Sequence, residues 1–227
     1  MELILQKVCG RSAQLPIRLR RCGPADAAAF FALQNEVRAA MPHPEQFVPD
    51  TLENITAYLR EGLCIGAYDG ERLGAYFILR YCGRSAHNYA AFMDVPRTEW
   101  EHWANADSAI VHADFRGNGL QRLMLEAALP LFPKKITHIG ATVSPQNQYS
   151  LHNALASGFA IVSRREMYGG HDRYLLAKDL KKNRAAFPNG CSPVLQSIES
   201  LSLFFILCRT TSRQARCTAA VSTQLMG

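Results

Sequence analysis

The sequence predicts an α/β (α+β) domain of mixed strands and helices, and three observations carry that expectation. The first is the stretch Asp107–Ala127, where a short apolar run, Ala109-Ile110-Val111, breaks at Arg116-Gly117-Asn118-Gly119. Directly after the break, Leu120, Leu123, Met124 and Ala127 recur at the spacing of one buried helical face. The second is Asp69-Gly70-Glu71 between two apolar runs, since Asp-Gly in that setting is a strong hairpin signal. The third is composition: 227 residues, 48% hydrophobic and 19% charged, suit one well-buried globular domain with some chain left over.

The elements follow in order. Residues 1–15 read as an N-terminal extension. Pro16–Cys22 alternates Ile17 and Leu19 with arginines and reads as the first strand. Pro24 and Asp26 suit the start of a helix that runs through Phe30, Leu33 and Val37. Three prolines between Met41 and Asp50 exclude regular structure there. Asp50 or Thr51 can cap the next helix, over Leu52, Ile55 and Leu59. Leu63–Tyr68 and Arg72–Tyr81 are strands two and three of a meander.

Residues 83–106 mix polar and aromatic groups around a short helix after Pro96, and a segment of that length marks a functional loop or an insertion. Tyr89, Phe92, Trp100 and Trp103 could line a pocket there or pack at the domain edge. The run at 109–111 is the fourth strand, and Ile136–Val143 the fifth. A helix through Leu151, Ala154 and Leu155 follows, then strands at Phe159–Ser163 and Arg173–Ala177, with Tyr168-Gly169-Gly170 as the turn between them.

Charge and cysteines exclude several classes. The net charge of +6 divides unevenly: residues 1–180 hold 19 Lys/Arg against 18 Asp/Glu, and residues 181–227 hold 6 against 1. The basicity therefore belongs to the tail, and a nucleic-acid partner is not expected. Seven cysteines without a CxxC pair spell neither a zinc site nor a disulfide framework, and no metal is expected. With no convincing signal peptide, a cytoplasmic location is the expectation.

The tail, 181–227, is basic and partly apolar, and it reads as poorly ordered. Its apolar octet Leu201–Cys208 is too short to span a bilayer, which takes ~20 residues. The octet is instead a candidate for covering an apolar patch or for self-association, which leaves a homodimer open.

A strand that turns through glycines into a helix presents unpaired backbone N–H groups and the positive end of a dipole, which is a cradle for a phosphate. The letters exclude a P-loop (no GxxxxGK[ST]) and a GxGxxG fingerprint. What remains, Arg116-x-x-Gly119-x-Gln121, resembles the [QR]-x-x-G-x-[GA] signature of the GCN5-related N-acetyltransferases, the GNAT superfamily, and in particular its small bacterial-type domains. The last position departs from the small residue preferred there. A second block, Val143-x-x-x-Asn147-x-x-Ser150-x(7)-Gly158-Phe159, again resembles that family, in the right order on the right elements.

The resemblance spans 16–180. It implies a GNAT fold: a mixed, mostly antiparallel sheet of six to seven strands, splayed between strands four and five, with about four flanking helices. It implies acetyl-CoA as cosubstrate, held by Ile110, Val111, His112, Arg116, Gly117, Asn118, Gly119, Leu120 and Gln121, and by Asn147 and Ser150. It also implies direct attack by the primary amine of a small or amino-acid-like acceptor, with Glu45 and Phe47 as acceptor contacts.

Asp107 best fits the family's strand-four carboxylate and is the expected base, with Glu45 and His112 as alternatives. His112 also reads as a structural histidine at the mouth of the site. Many members carry a tyrosine acid seven residues after the helix asparagine, and here that position is Ala154. Tyr149, near it in sequence, is the substitute candidate. Ala154 and Gln121 keep a second function open, a CoA-binding regulatory or interaction module with weak or no catalysis. Protein N-termini or lysines as acceptors are disfavoured by the bulk of 83–106.

Overall fold

A computed structural model describes residues 1–181; the tail expectation for 181–227 lies, apart from Lys181, outside the described residues. One eight-stranded sheet organises the chain, in the order β1-β2-β3-β4-β5-β6-β8-β7. Its strands are β1 (Glu2–Val8), β2 (Arg11–Cys22), β3 (Leu63–Asp69), β4 (Arg72–Arg80), β5 (Trp103–Val111), β6 (His138–Val143), β7 (Ala160–Met167) and β8 (His171–Asp179). The helices are α1 (Ala27–Ala39), α2 (Leu52–Glu61), α3 (Leu120–Ala128) and α4 (Gln148–Ala156).

The count of six to seven strands needs correcting to eight. Residues 1–15, expected to precede the domain, form β1 and the start of β2, which pair antiparallel from Glu2↔Arg18 to Val8↔Arg11. The local reason is Cys9-Gly10, both left-handed (φ 50° and 73°), which turn the chain in two residues. The helix after Pro96 is a 3-10 segment, Arg97–His102, and β5 starts at Trp103, well before the apolar run that announced it.

The two faces of the sheet are covered separately. Phe30, Leu33, Ile55 and Leu59 of α1 and α2 pack on Tyr76 and Ile78. On the other side Leu120, Met124 and Leu125 of α3 pack with Ile65, Phe77 and Ile139. Thr51, not Asp50, caps α2, its side chain accepting from the Asn54 N–H at 3.1 Å.

The sheet parts where the resemblance implies. β5 and β6 pair in parallel only from Trp103↔His138 to Ala106↔Ala141. Beyond that, β5 stays paired with β4 up to Val111, and β6 with β8 up to Val143. Each strand keeps its outer neighbour and loses its inner one, so a gap opens between Asp107–Val111 and Thr142–Val143.

Candidate active site

The gap is the floor of a cleft lined by Asp107 of β5, Thr142 of β6, Gln121 of α3, and Ser150 and Ala154 of α4. Its β5 wall presents main chain. The His112 N–H donates to the Gly74 carbonyl across the β4 side at 2.9 Å. Main-chain groups alternate sides along an antiparallel strand, so those of Val111 and Ala109 turn toward the gap. The Arg116 Nε donates to the Val111 carbonyl at 3.3 Å, on the side away from β4.

At one end of the cleft lies the glycine turn. Gly117 and Gly119 are left-handed (φ 81° and 67°), and Gly119 is the N-cap of α3. A Cβ on Gly119 would meet nothing within 4 Å, so conformation, not crowding, demands glycine there. The Leu123 N–H makes the first helical bond, to the Gly119 carbonyl. The N–H groups of Leu120, Gln121 and Arg122 therefore precede the helical ladder and suit an anion. Leu120 itself is buried in the core, so only its backbone can serve.

Several expected ligands have their side chains committed elsewhere. The Asn118 Oδ1 accepts from the N–H groups of Gln6 (2.9 Å) and Lys7 (3.0 Å), while its Nδ2 donates to the Lys7 carbonyl at 2.8 Å. Asn118 thus fastens β1 to the glycine turn. The His112 Nδ1 accepts from the Asp114 N–H at 3.1 Å, so its Nε2 carries the hydrogen and faces Glu36 at 3.0 Å. Both ring nitrogens of His112 are thus engaged by neighbouring side chains and main chain. Ile110 is buried in the α1–α2 core, and Asn147 caps α4 by accepting from the Ser150 N–H at 3.0 Å.

Three acceptor-side expectations also change. Tyr149 is 88% exposed and does not line the cleft, because its place in the first turn of α4 turns it outward. Glu45 sits at the surface beside His43 (3.3 Å), and Phe47 packs against the α1–α2 core. None of the three is brought to Asp107.

Asp107 is gathered into a network at the other end of the cleft. Its side chain is only 11% exposed. The Arg80 guanidinium donates to its Oδ1 at 3.3 Å and stacks 4.0 Å above the Tyr58 ring. The Tyr89 hydroxyl donates to the same Oδ1 at 3.1 Å, and itself accepts from the Tyr168 hydroxyl at 2.9 Å. Tyr168 also meets the Thr142 hydroxyl at 3.1 Å. Burial, and then the Asp107 charge, hold Tyr89 well above the usual phenol range, so it donates as a neutral hydroxyl. Asp50 is pushed up to about 6, first by burial and then by Asp107, against the pull of Tyr58 and Arg80.

Of these, Tyr89 was a candidate for lining a pocket, Asp50 for capping a helix, and Tyr168 for a turn. Arg80 and Tyr58 carried no signal. The left-handed φ of Tyr168 (53°) was announced only by the glycines after it.

Solved structures share this architecture. An acetyltransferase of the GNAT family from Streptococcus pneumoniae is 19% identical, with a TM-score of 0.54, over 72% of this chain and 99% of that one. A ribosomal-protein-alanine N-acetyltransferase from Brucella melitensis is 18% identical, with a TM-score of 0.54, over 72% and 99%. NAA60 of Arabidopsis thaliana, solved in complex with acetyl-CoA, is 14% identical with a TM-score of 0.56, over 72% and 99%. No family model and no curated protein matches the chain in sequence. At these identities the likeness is one of architecture: the chain has the GNAT fold. Among the described residues no helix is long and apolar enough to cross a membrane.

Proposed function

We propose that this GNAT-fold chain is an acetyl-CoA-dependent N-acetyltransferase acting on the primary amine of a small or amino-acid-like acceptor. The observation that carries the reading is the gap between β5 and β6, with a strand edge along it and a glycine turn at its end. A pantetheine arm has amides to pair with such an edge, and a pyrophosphate has the charge for the turn. The residues present fit that ligand: the main chain of Ala109 and Val111, the N–H groups from Gly119 to Arg122, and the side chains of Gln121 and Ser150 at the walls.

Acetyl-CoA supplies an activated acetyl group, which passes from sulfur to the amine nitrogen. Asp107 does the proton work. An amine in water is an ammonium and cannot attack until it loses a proton. The Asp107 carboxylate, held by hydrogen bonds from Arg80 and Tyr89, accepts that proton at the cleft wall. The Val111 N–H stabilises charge growing on the acetyl oxygen, an effect worth roughly 3 kcal/mol. As the C–S bond breaks, CoA departs as a thiolate of cysteine-like acidity, and the second proton, shed by the nitrogen as it becomes an amide, passes to that thiolate or to water, so no dedicated acid is needed. This suits a cleft in which α4 presents Ala154.

Thiol release with acetyl-CoA and a panel of primary amines tests the reading. Release above the amine-free rate with at least one amine supports it. A chain whose melting temperature rises with acetyl-CoA while no amine speeds thiol release is a CoA-binding module instead.

A further inference from the structure

The segment joining β4 to β5 is a fixed arm, and its purpose is legible in what it delivers. Two asparagines with no exposed surface lock it. The Asn88 Nδ2 donates to the carbonyls of Gly83 and Trp100, both at 2.8 Å, and its Oδ1 accepts from the Ala90 N–H at 3.0 Å. The Asn105 Oδ1 accepts from the Tyr89 N–H at 3.0 Å, and its Nδ2 donates to the His87 carbonyl at 2.8 Å. Gly140 of β6 completes the seat, since a Cβ there would stand 2.9 Å from the Tyr89 Cβ. Burying two amides with all these bonds satisfied fixes one geometry, because any other leaves them unpaired in the interior.

What the arm fixes is the Tyr89 hydroxyl, 3.1 Å from the Asp107 Oδ1. Arg80 donates to that same oxygen at 3.3 Å. Both donors end on Oδ1, and Asp107 lines the cleft. We propose that Tyr89 is a positioning residue: with Arg80 it pins Asp107 by Oδ1 and so leaves Oδ2 to take the proton of the acceptor ammonium. Tyr168 orients Tyr89 in turn by donating to it. The inference rests on the reading of Asp107 as the base.

Several groups act on Asp107 from the elements around it. Arg80 comes from β4, Tyr89 and Cys82 from the arm, and Tyr168 from the β7–β8 turn. Asp50 and Tyr58 approach from the α2 side, and Cys64 from β3. Removing one donor from a carboxylate makes the carboxylate easier to protonate. Tyr89→Phe keeps the ring and removes only the donor.

The experiment compares wild type and Tyr89→Phe in thiol release from acetyl-CoA with the primary-amine panel, across pH. The expected result is a fall of about tenfold in kcat, an unchanged KM for acetyl-CoA, and an acid limb of the rate profile moved to higher pH. A superimposable profile, or a loss confined to KM for acetyl-CoA, overturns the inference. If the variant does not fold, Tyr168→Phe should show the same signs in smaller measure, and an unmoved profile there overturns it equally. Wild type that releases no thiol with any amine sinks the enzyme reading instead. The positioning claim is then judged from crystal structures of both proteins: an Asp107 carboxylate turned in Tyr89→Phe upholds it, and an unmoved one overturns it.

Discussion

The two ends of the gap between β5 and β6 are built on opposite principles. The end proposed for the cosubstrate is main chain: strand edges at Ala109 and Val111, a left-handed Gly119, and the first turn of α3. Its side chains mostly do other work, as Asn118 does in fastening β1. The end proposed for the acceptor is side chain. There Arg80, Tyr89, Asp107 and Tyr168, drawn from four separate segments, meet through hydrogen bonds of about 3 Å. A main-chain site is written locally, because backbone geometry follows from neighbouring residues. A side-chain site is written only in the fold.

The largest expected effect falls at Gly119. Gly119→Val puts a β-branched residue at φ 67°. The strain costs on the order of 2 kcal/mol, and the melting temperature should fall by roughly 5 °C. Saturable acetyl-CoA binding, measured by calorimetry, should disappear because the turn that aims the N–H groups is lost. Undiminished affinity would place the phosphate elsewhere.

A smaller effect belongs to the side-chain cluster around Asp107. Asp50 binds its proton more tightly in the folded chain than in the unfolded one, with a pKa raised from 3.8 to about 6. Its contribution to stability is therefore complete below about pH 4 and is lost as pH rises through 6. Asp50→Asn keeps the shape and cannot charge. Denaturant titrations should show the two proteins nearly equal at pH 4, with the variant ahead by on the order of 2 kcal/mol at pH 7. A constant difference across that range would mean that Asp50 is not buried beside Asp107.

The smallest effect belongs to Tyr149. With that side chain in solvent, Tyr149→Phe should leave kcat and both KM values within about twofold of wild type. A large fall in kcat would put a catalytic hydroxyl back on α4.

These differences explain what the sequence could disclose. Arg116-x-x-Gly119 and Val143-x-x-x-Asn147 lie on consecutive elements, so the glycine turn and the two helices were readable from spacing, while the parting of the sheet followed from the family resemblance that those residues carry. Strand β1 was not, since residues 2–8 gain their meaning only by pairing with β2 and by the Asn118 clasp more than 100 residues away. Glu45 and Phe47 were placed by analogy with a loop whose prolines set their own path, and Tyr149 by sequence distance where helical phase decides. Asp107 was singled out because it precedes the apolar run and fits the family's strand-four carboxylate, whereas Arg80 and Tyr168 are joined to it only through the folded sheet.

Amide hydrogen exchange with and without acetyl-CoA tests the central claim most directly. Acetyl-CoA should slow exchange at Ala109, Val111 and the Gly119–Arg122 amides, while amides of α1 stay as they were. Acetyl-CoA that protects some other surface and leaves Val111 and Gly119 unchanged would contradict it.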